Sequence, residues 1–396
     1  MPADSTLSAA IAAATLGATS AFAKRCVRLL FLAAVAAALA PSAASAADYD
    51  LRATGTAQLL AGVTPTPGDP LIDRLAALPA WKTHHELMEQ QWGEVRRRLD
   101  SMSGWRSHEL RPGDPRERTL LYPFSGPDFL NAYTMFPDHG RYVFFSLENA
   151  GRLPDLEPLS ARQFGELLED TRAAMHDIFQ RNYFITDYMT RQLTGPLLKG
   201  TVPIIAAMMA LTGQQILRVE PVDLFPELTR AYAEADAVRP RKRLRGAMIE
   251  FRASDTAPAQ QLYYFSLDAS DKALEFYPDF LAWVGRNQPA TVFLKSASYL
   301  LHDNQFSQTR AMLLNAADLI VQDDTGIPYH ALVQAGWQVR LYGQYARPIR
   351  QLSYGYQPDL KTAYGGGADP GPLPFPFGYH WHNGKSTLIL AVRNRS

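Results

Sequence analysis

A helical repeat of apolar and aromatic positions runs from Trp81 through His85, Met88, Trp92, Val95 and Leu99 to Met102. Steps of four and three residues put them on one face, with Glu94, Arg96, Arg97, Arg98 and Asp100 opposite. The spacing predicts a helix over about 83–102, and His85 falls on its apolar seam. Residues 47–70 are polar and rich in Pro, Gly and Thr, which reads as a linker or extended strap. Residues 104–118 read as a charged connector.

From Thr119 the pattern becomes strand, helix, strand: 119–124, 127–136 and 141–148. The run Tyr142–Leu147 is almost continuously apolar, as in a central strand covered on both faces. Helices are predicted at 160–179, 185–193 and 202–211. The last is apolar all round but only about ten residues long, which fits a buried core helix rather than a membrane span. Strands follow at 216–222, 246–252 and 261–267, helices at 274–286, 290–302 and 306–320, and strands at 337–345 and 387–392. Together these predict a mixed central sheet of α/β type covered by helices, with a helical N-terminal extension.

Two strings suggest a repeat. V-F-F-S-L-E at 143–148 matches Y-Y-F-S-L-D at 263–268, and Q-I-L-R-V-E at 215–220 parallels D-L-I-V-Q-D at 318–323. Read as duplication, they divide the chain into 1–46, a signal segment; 47–118, linker and N-terminal helices; 119–225, a first α/β half; and 226–396, a second half with an aromatic loop near its end. The charged stretch 226–244 would separate the halves. The competing reading is chance similarity between apolar strands.

The first segment changes the picture of where the protein works. Lys24, Arg25 and Arg28 precede an apolar core, Leu29 to Leu39, and Ala44-Ser45-Ala46 follows as a small-x-small cleavage pattern. The core is too short for a stable anchor, so the expected product is soluble, periplasmic or secreted, without an integral membrane segment after cleavage. Cys26 is the only cysteine and lies inside this segment. The mature chain is therefore cysteine-free, without disulfide or thiolate chemistry. The segment holds Lys24, Arg25 and Arg28 against Asp4, so removing it takes 39 basic and 39 acidic side chains to 36 and 38, a net charge of −2. That balance gives no footprint for nucleic acid.

Candidate chemistry concentrates in two turns. In the first, Tyr122-Pro123-Phe124-Ser125-Gly126-Pro127-Asp128, a strand runs into a helix. Tyr122, Ser125, Gly126 and Asp128 are candidate ligand-binding residues there, because free N–H groups at a helix start favour an anion. Ordinary helix capping by Ser125 or Gly126 explains most of the same residues. In the second, Asp323-Asp324-Thr325-Gly326-Ile327-Pro328-Tyr329-His330, Asp323 is a candidate ligand contact. Asp324 is a candidate base and His330 a proton shuttle; the plainer reading is an Asp-rich turn. His380 and His382 alternate along the chain, but a third metal ligand is not evident nearby, so no metal site is assigned. The sequence names no cofactor. It has no G-x-S-x-G, Walker loop, G-x-G-x-x-G or H-E-x-x-H.

The strings Y-P-F-S-G-P-D-F-L-N-A at 122–132 and Q-D-D-T-G-I-P-Y at 322–329 resemble those of a family of exported bacterial proteins of unassigned function. The resemblance covers roughly 119–395. It implies export and a shared globular fold, and transfers no catalytic residue. Two functions stay open: an envelope protein that binds a ligand or an envelope partner without catalysis, or a hydrolase using carboxylate and histidine chemistry at the two turns.

Overall fold

In the computed structural model, which describes residues 50–110, 118–224, 243–345, 347–366, 369–379 and 385–393, the strands join a single mixed sheet. They are β1 (Thr119–Pro123), β2 (Arg141–Ser146), β3 (Gln215–Asp223), β4 (Arg245–Arg252), β5 (Gln260–Ser266), β6 (Ala290–Leu294), β7 (Ala317–Gln322), β8 (Gln338–Gly343) and β9 (Thr387–Val392). Their spatial order is β3-β4-β5-β2-β1-β6-β7-β9-β8. The middle five, β5-β2-β1-β6-β7, are parallel. β3 and β4 add antiparallel at one side, β9 and β8 at the other.

The helices divide by sequence between the two faces. On one face lie α1 (Leu51–Ala61), α2 (Pro70–Ala76), α3 (Pro79–Glu109), α4 (Phe129–Met135), α5 (Ala161–Arg181), α6 (Thr186–Gln192) and α7 (Val202–Leu211). On the other lie α8 (Asp271–Leu274), α9 (Pro278–Arg286), α10 (Ser307–Ala316), α11 (Tyr329–Gln334) and α12 (Pro358–Gly365). The strand pleat feeds both cores alternately: Leu120 and Tyr122 pack with the first set, Leu121 with the second, and likewise Phe144 against Val143 and Phe145. Double coverage explains why these strands read as apolar runs rather than alternating ones.

The matching strings turn out to be neighbours. Val143, Phe144, Phe145 and Ser146 pair in parallel register with Tyr263, Tyr264, Phe265 and Ser266. The second pair of strings is not equivalent, since β3 is an antiparallel strand at the sheet's side and β7 an internal parallel one. β3 and β4 are themselves paired, so the sheet runs on across the expected division at 225/226. The two-halves reading gains no support, and two adjacent, doubly covered strands suffice to explain the likeness. Most of the charged stretch, 226–242, lies outside the described residues, as do the signal segment and His380 and His382.

Several expectations change in the helical regions. α3 runs on to Glu109, so the first part of the connector expected at 104–118 is helix. Residues 51–61, expected as linker, form α1, whose Asp50 caps its start and whose Thr54 exchanges hydrogen bonds with Ile216 of β3. Small residues disguised it: a Cβ on Gly55 would sit 2.8 Å from Ile72, so close packing on α2 requires the glycine. The helix expected at 290–302 is β6 followed by a loop, and the one at 306–320 ends at Ala316, where β7 begins directly. Short apolar runs buried on both faces carry no period to separate strand from helix. His84, not His85, faces the core, where Arg172 donates to its Nδ1 (2.8 Å) and its Nε2 donates to the Leu60 carbonyl (2.9 Å). Among the described residues no helix is long and apolar enough to cross a membrane.

Candidate functional site

The parallel strands set the location. From β1 the chain moves outward to β2 and later β5, then returns to the other side of β1 as β6. Strand order therefore reverses between β1 and β6. In open α/β sheets, ligands enter the crevice beyond the carboxyl ends of the strands at such a reversal. A cavity of about 660 Å³ lies here, lined by residues that follow β1, β2, β5 and β6.

The residues after β1 make the first wall. Phe124 and Gly126 both take left-handed backbone (φ 59° and 54°), and Ser125 between them donates toward the carbonyls of Tyr122 and Gly126 (3.0 and 3.1 Å). Asp128 is the cap of α4: its Oδ1 accepts from the Asn131 backbone N–H at 3.1 Å. Its Oδ2 accepts from the Tyr122 hydroxyl at 2.8 Å and from Lys295 Nζ at 3.2 Å, and the Asn131 amide reaches both oxygens. Asp128 and Lys295 are 2% and 3% exposed. Lys295 also donates to the carbonyl of Asn182. Burial pulls the Lys295 ammonium below its ordinary pKa, and Asp128 opposes that. Each charge offsets the desolvation of the other, which is the condition for burying either.

The second wall follows β2. Ser146 donates to Glu148 Oε2 at 2.6 Å and meets the Tyr264 hydroxyl at 2.7 Å. Ser266, its register partner on β5, donates to the Glu148 carbonyl at 2.9 Å. The third wall is the loop after β6, where Ser296, Ser298 and Tyr299 are all left-handed (φ 55°, 53° and 57°). Such a conformation costs a residue with a Cβ about 1–2 kcal/mol, so the loop needs external support.

The Asp323–Thr325 turn supplies it. Asp323 Oδ2 accepts from the Ser296 N–H at 2.8 Å, Thr325 Oγ1 from the Ala297 N–H at 2.7 Å, and Asp324 Oδ2 from the Tyr299 hydroxyl at 2.5 Å. Asp323 Oδ1 is taken by Thr325 itself. Burial raises the pKa of both carboxyls, and the proximity of Asp324 raises that of Asp323 further.

Of the residues singled out from the sequence, Tyr122, Ser125, Gly126 and Asp128 line the cavity; Asp323, Asp324 and His330 do not. The two turns share one edge of the sheet, on either side of β6. Asp324 bonds Tyr299, while His330 is 60% exposed at its side chain and 4.0 Å from Asp359. These contacts do not join Asp324 and His330. Sequence reading passed over Lys295 and Glu148. Their signal was a charged residue at or just past the end of an apolar strand-length run, masked for Lys295 by taking 290–302 as a helix.

Chemically, the cavity offers hydroxyls, aromatic faces and carboxylates. Among the described residues the buried amine of Lys295 is held by Asp128 and the Asn182 carbonyl, and no histidine lines the cavity. Among the described residues no cluster of three or more His, Cys, Asp or Glu side chains is placed to hold a metal. No family model and no curated protein matches the chain.

Proposed function

We propose that the protein is an exported binding protein that holds one small amphiphilic molecule in the cavity beyond β1, β2, β5 and β6 and does not transform it. One observation carries the reading. The cavity has a buried polar set (Ser125, Asp128, Glu148, Lys295) and, nearer solvent, the apolar side chains of Leu147, 65% exposed, and the half-buried Ile185, Ile349 and Leu352, set among the exposed polar residues Thr186, Asp187, Asp268 and Gln351. A pocket of a few hundred Å³ with a few convergent polar groups is the usual form of a small-molecule site. Its reactive groups are bound to one another: the Asp128 carboxylate and Lys295 ammonium pair, and Ser125 is turned onto carbonyls. The hydrolase alternative needs Ser125 beside a base, and Asp324 and His330 make their contacts elsewhere.

Calorimetric titration with 1-hexanol, hexanoate and hexylammonium tests the binding reading. At least one should bind the mature protein with 1:1 stoichiometry and weaken tenfold or more in Leu147→Trp, which crowds the mouth from an exposed position. Absence of saturable binding, or equal binding by the variant, would overturn it. Export is tested separately: protein recovered from the periplasmic fraction should begin at Ala47, and retention of residues 1–46 would refute cleavage.

A further inference from the structure

Glu148 is the buried charged group on the cavity wall that no described cation answers. It is 6% exposed. Its Oε2 accepts from Ser146 and, at 3.5 Å, from Tyr264. No described residue donates to Oε1, and no described cation pairs with this carboxylate. The other charges lining the cavity do not supply one. Lys295 is committed to Asp128, and Arg181 pairs with Asp177 at 3.2 Å. Asp187 and Asp268 also line the cavity, each without an ion pair among the described residues. Once the paired charges cancel, three carboxylates remain among the described residues around the space.

Oε1 is left to the cavity, where a cationic partner would meet it with a charge-assisted hydrogen bond. Like charge brought against it costs several kcal/mol, so an anionic ligand is disfavoured. Tyr183 and Tyr379, in edge-to-face contact at 4.7 Å, also line the cavity; aromatic faces of this kind attract cations. We infer that the ligand carries a cationic nitrogen, an alkyl- or arylammonium group, which docks against Glu148 while its apolar part lies along Leu147 and the other apolar side chains nearer solvent. This rests on the reading of the cavity as a small-molecule site and adds the ligand's charge.

The three six-carbon probes separate the two claims. On the mature protein at neutral pH and low salt, hexylammonium should bind at least tenfold more tightly than 1-hexanol, and hexanoate more weakly than either. Glu148→Gln should abolish the preference for hexylammonium over 1-hexanol while the alcohol still binds. Raising salt should weaken only the ammonium probe in the wild-type protein, a readout that does not depend on the variant folding. Equal binding of amine and alcohol, or preference for hexanoate, overturns the cationic ligand and leaves the cavity reading standing. Loss of the alcohol together with the amine in a folded Glu148→Gln also overturns it, because Glu148 would then act only by holding Ser146 and Tyr264. If none of the three probes binds, both claims fall.

Discussion

Lys295 Nζ lies 3.2 Å from Asp128 Oδ2 across 167 residues of chain, and both side chains are shut away from solvent. The pair ties the loop after β6 to the cap of α4, and so joins the two strands between which the sheet reverses its order. Arg98 on α3 stands near enough for the Asp128 charge to act on it, while burial lowers the Arg98 pKa to about 10. Breaking such a buried pair from one side leaves an unmatched charge, at about 3–5 kcal/mol. Lys295→Met and Asp128→Asn should therefore each cause a large loss in urea denaturation. The double variant should lose less than the sum, with a coupling of about 0.5–3 kcal/mol. Additive losses would show that the two charges do not depend on each other.

How much of this site was legible beforehand follows from what each residue's neighbours could reveal. Tyr122 to Asp128 announced itself because Pro, Gly and Ser between an apolar run and a helix have few other uses. Asp128 was visible as an acidic residue in a first turn, but not as the cap, which depends on the Phe124 and Gly126 backbone. Lys295 was hidden because Ala-Thr-Val-Phe-Leu, covered on both faces, has no period of its own. Glu148 was hidden for a different reason. Its importance lies in the lack of a described cation beside it, Lys295 and Arg181 being paired elsewhere, and sequence order does not report that. The N-terminal face was half legible: the seam from Trp81 to Met102 marked α3, while α1, built of Ala, Gly and Thr for close packing, looked like linker.

Asp323 and Asp324 give the loop after β6 a pH signature. Burial raises both carboxyl pKa values above the ordinary 3.8. A raised folded-state pKa means that the folded protein binds protons more readily than the unfolded chain. The associated stability is fully present below about pH 4 and is lost as pH rises toward neutrality. Asp324→Asn removes one charge of the pair and keeps an acceptor for Tyr299. Measured as Tm from pH 4 to 8, its stability should fall less with rising pH than that of wild type. A parallel pair of curves would show that these carboxyls ionise normally.

His84 should contribute the opposite slope. Burial, with Arg172 beside it, lowers its pKa from 6.5 to about 4. The folded protein then binds fewer protons than the unfolded chain between those values, so stability falls as pH drops from 6.5 toward 4. At about 1.4 kcal/mol per pH unit the contribution reaches about 3 kcal/mol. His84→Gln should lower stability at pH 7, through the lost Leu60 and Arg172 contacts, and lose less than wild type on acidification. Direct titration of the His84 ring by NMR gives the independent check, and a pKa near 6.5 would contradict the burial argument.

Gly126 ties the first turn to α6, and its replacement tests whether that turn can yield. Its φ of +54° lies in the left-handed region, and a Cβ placed there would come within 2.7 Å of Met189 Cε and 3.1 Å of its sulfur. Met189 can move its flexible end, so the contact is the smaller part of the cost. The backbone conformation is the larger, at about 1–2 kcal/mol for any residue with a Cβ. Gly126→Ala should therefore lower stability by about 1–3 kcal/mol. Displacing Met189 into the cavity should also weaken whichever amphiphile the wild type binds. Gly126→Asn, which tolerates left-handed backbone better, should recover part of the stability and none of the affinity. Recovery of both would place the effect in the backbone alone and remove Met189 from the binding wall.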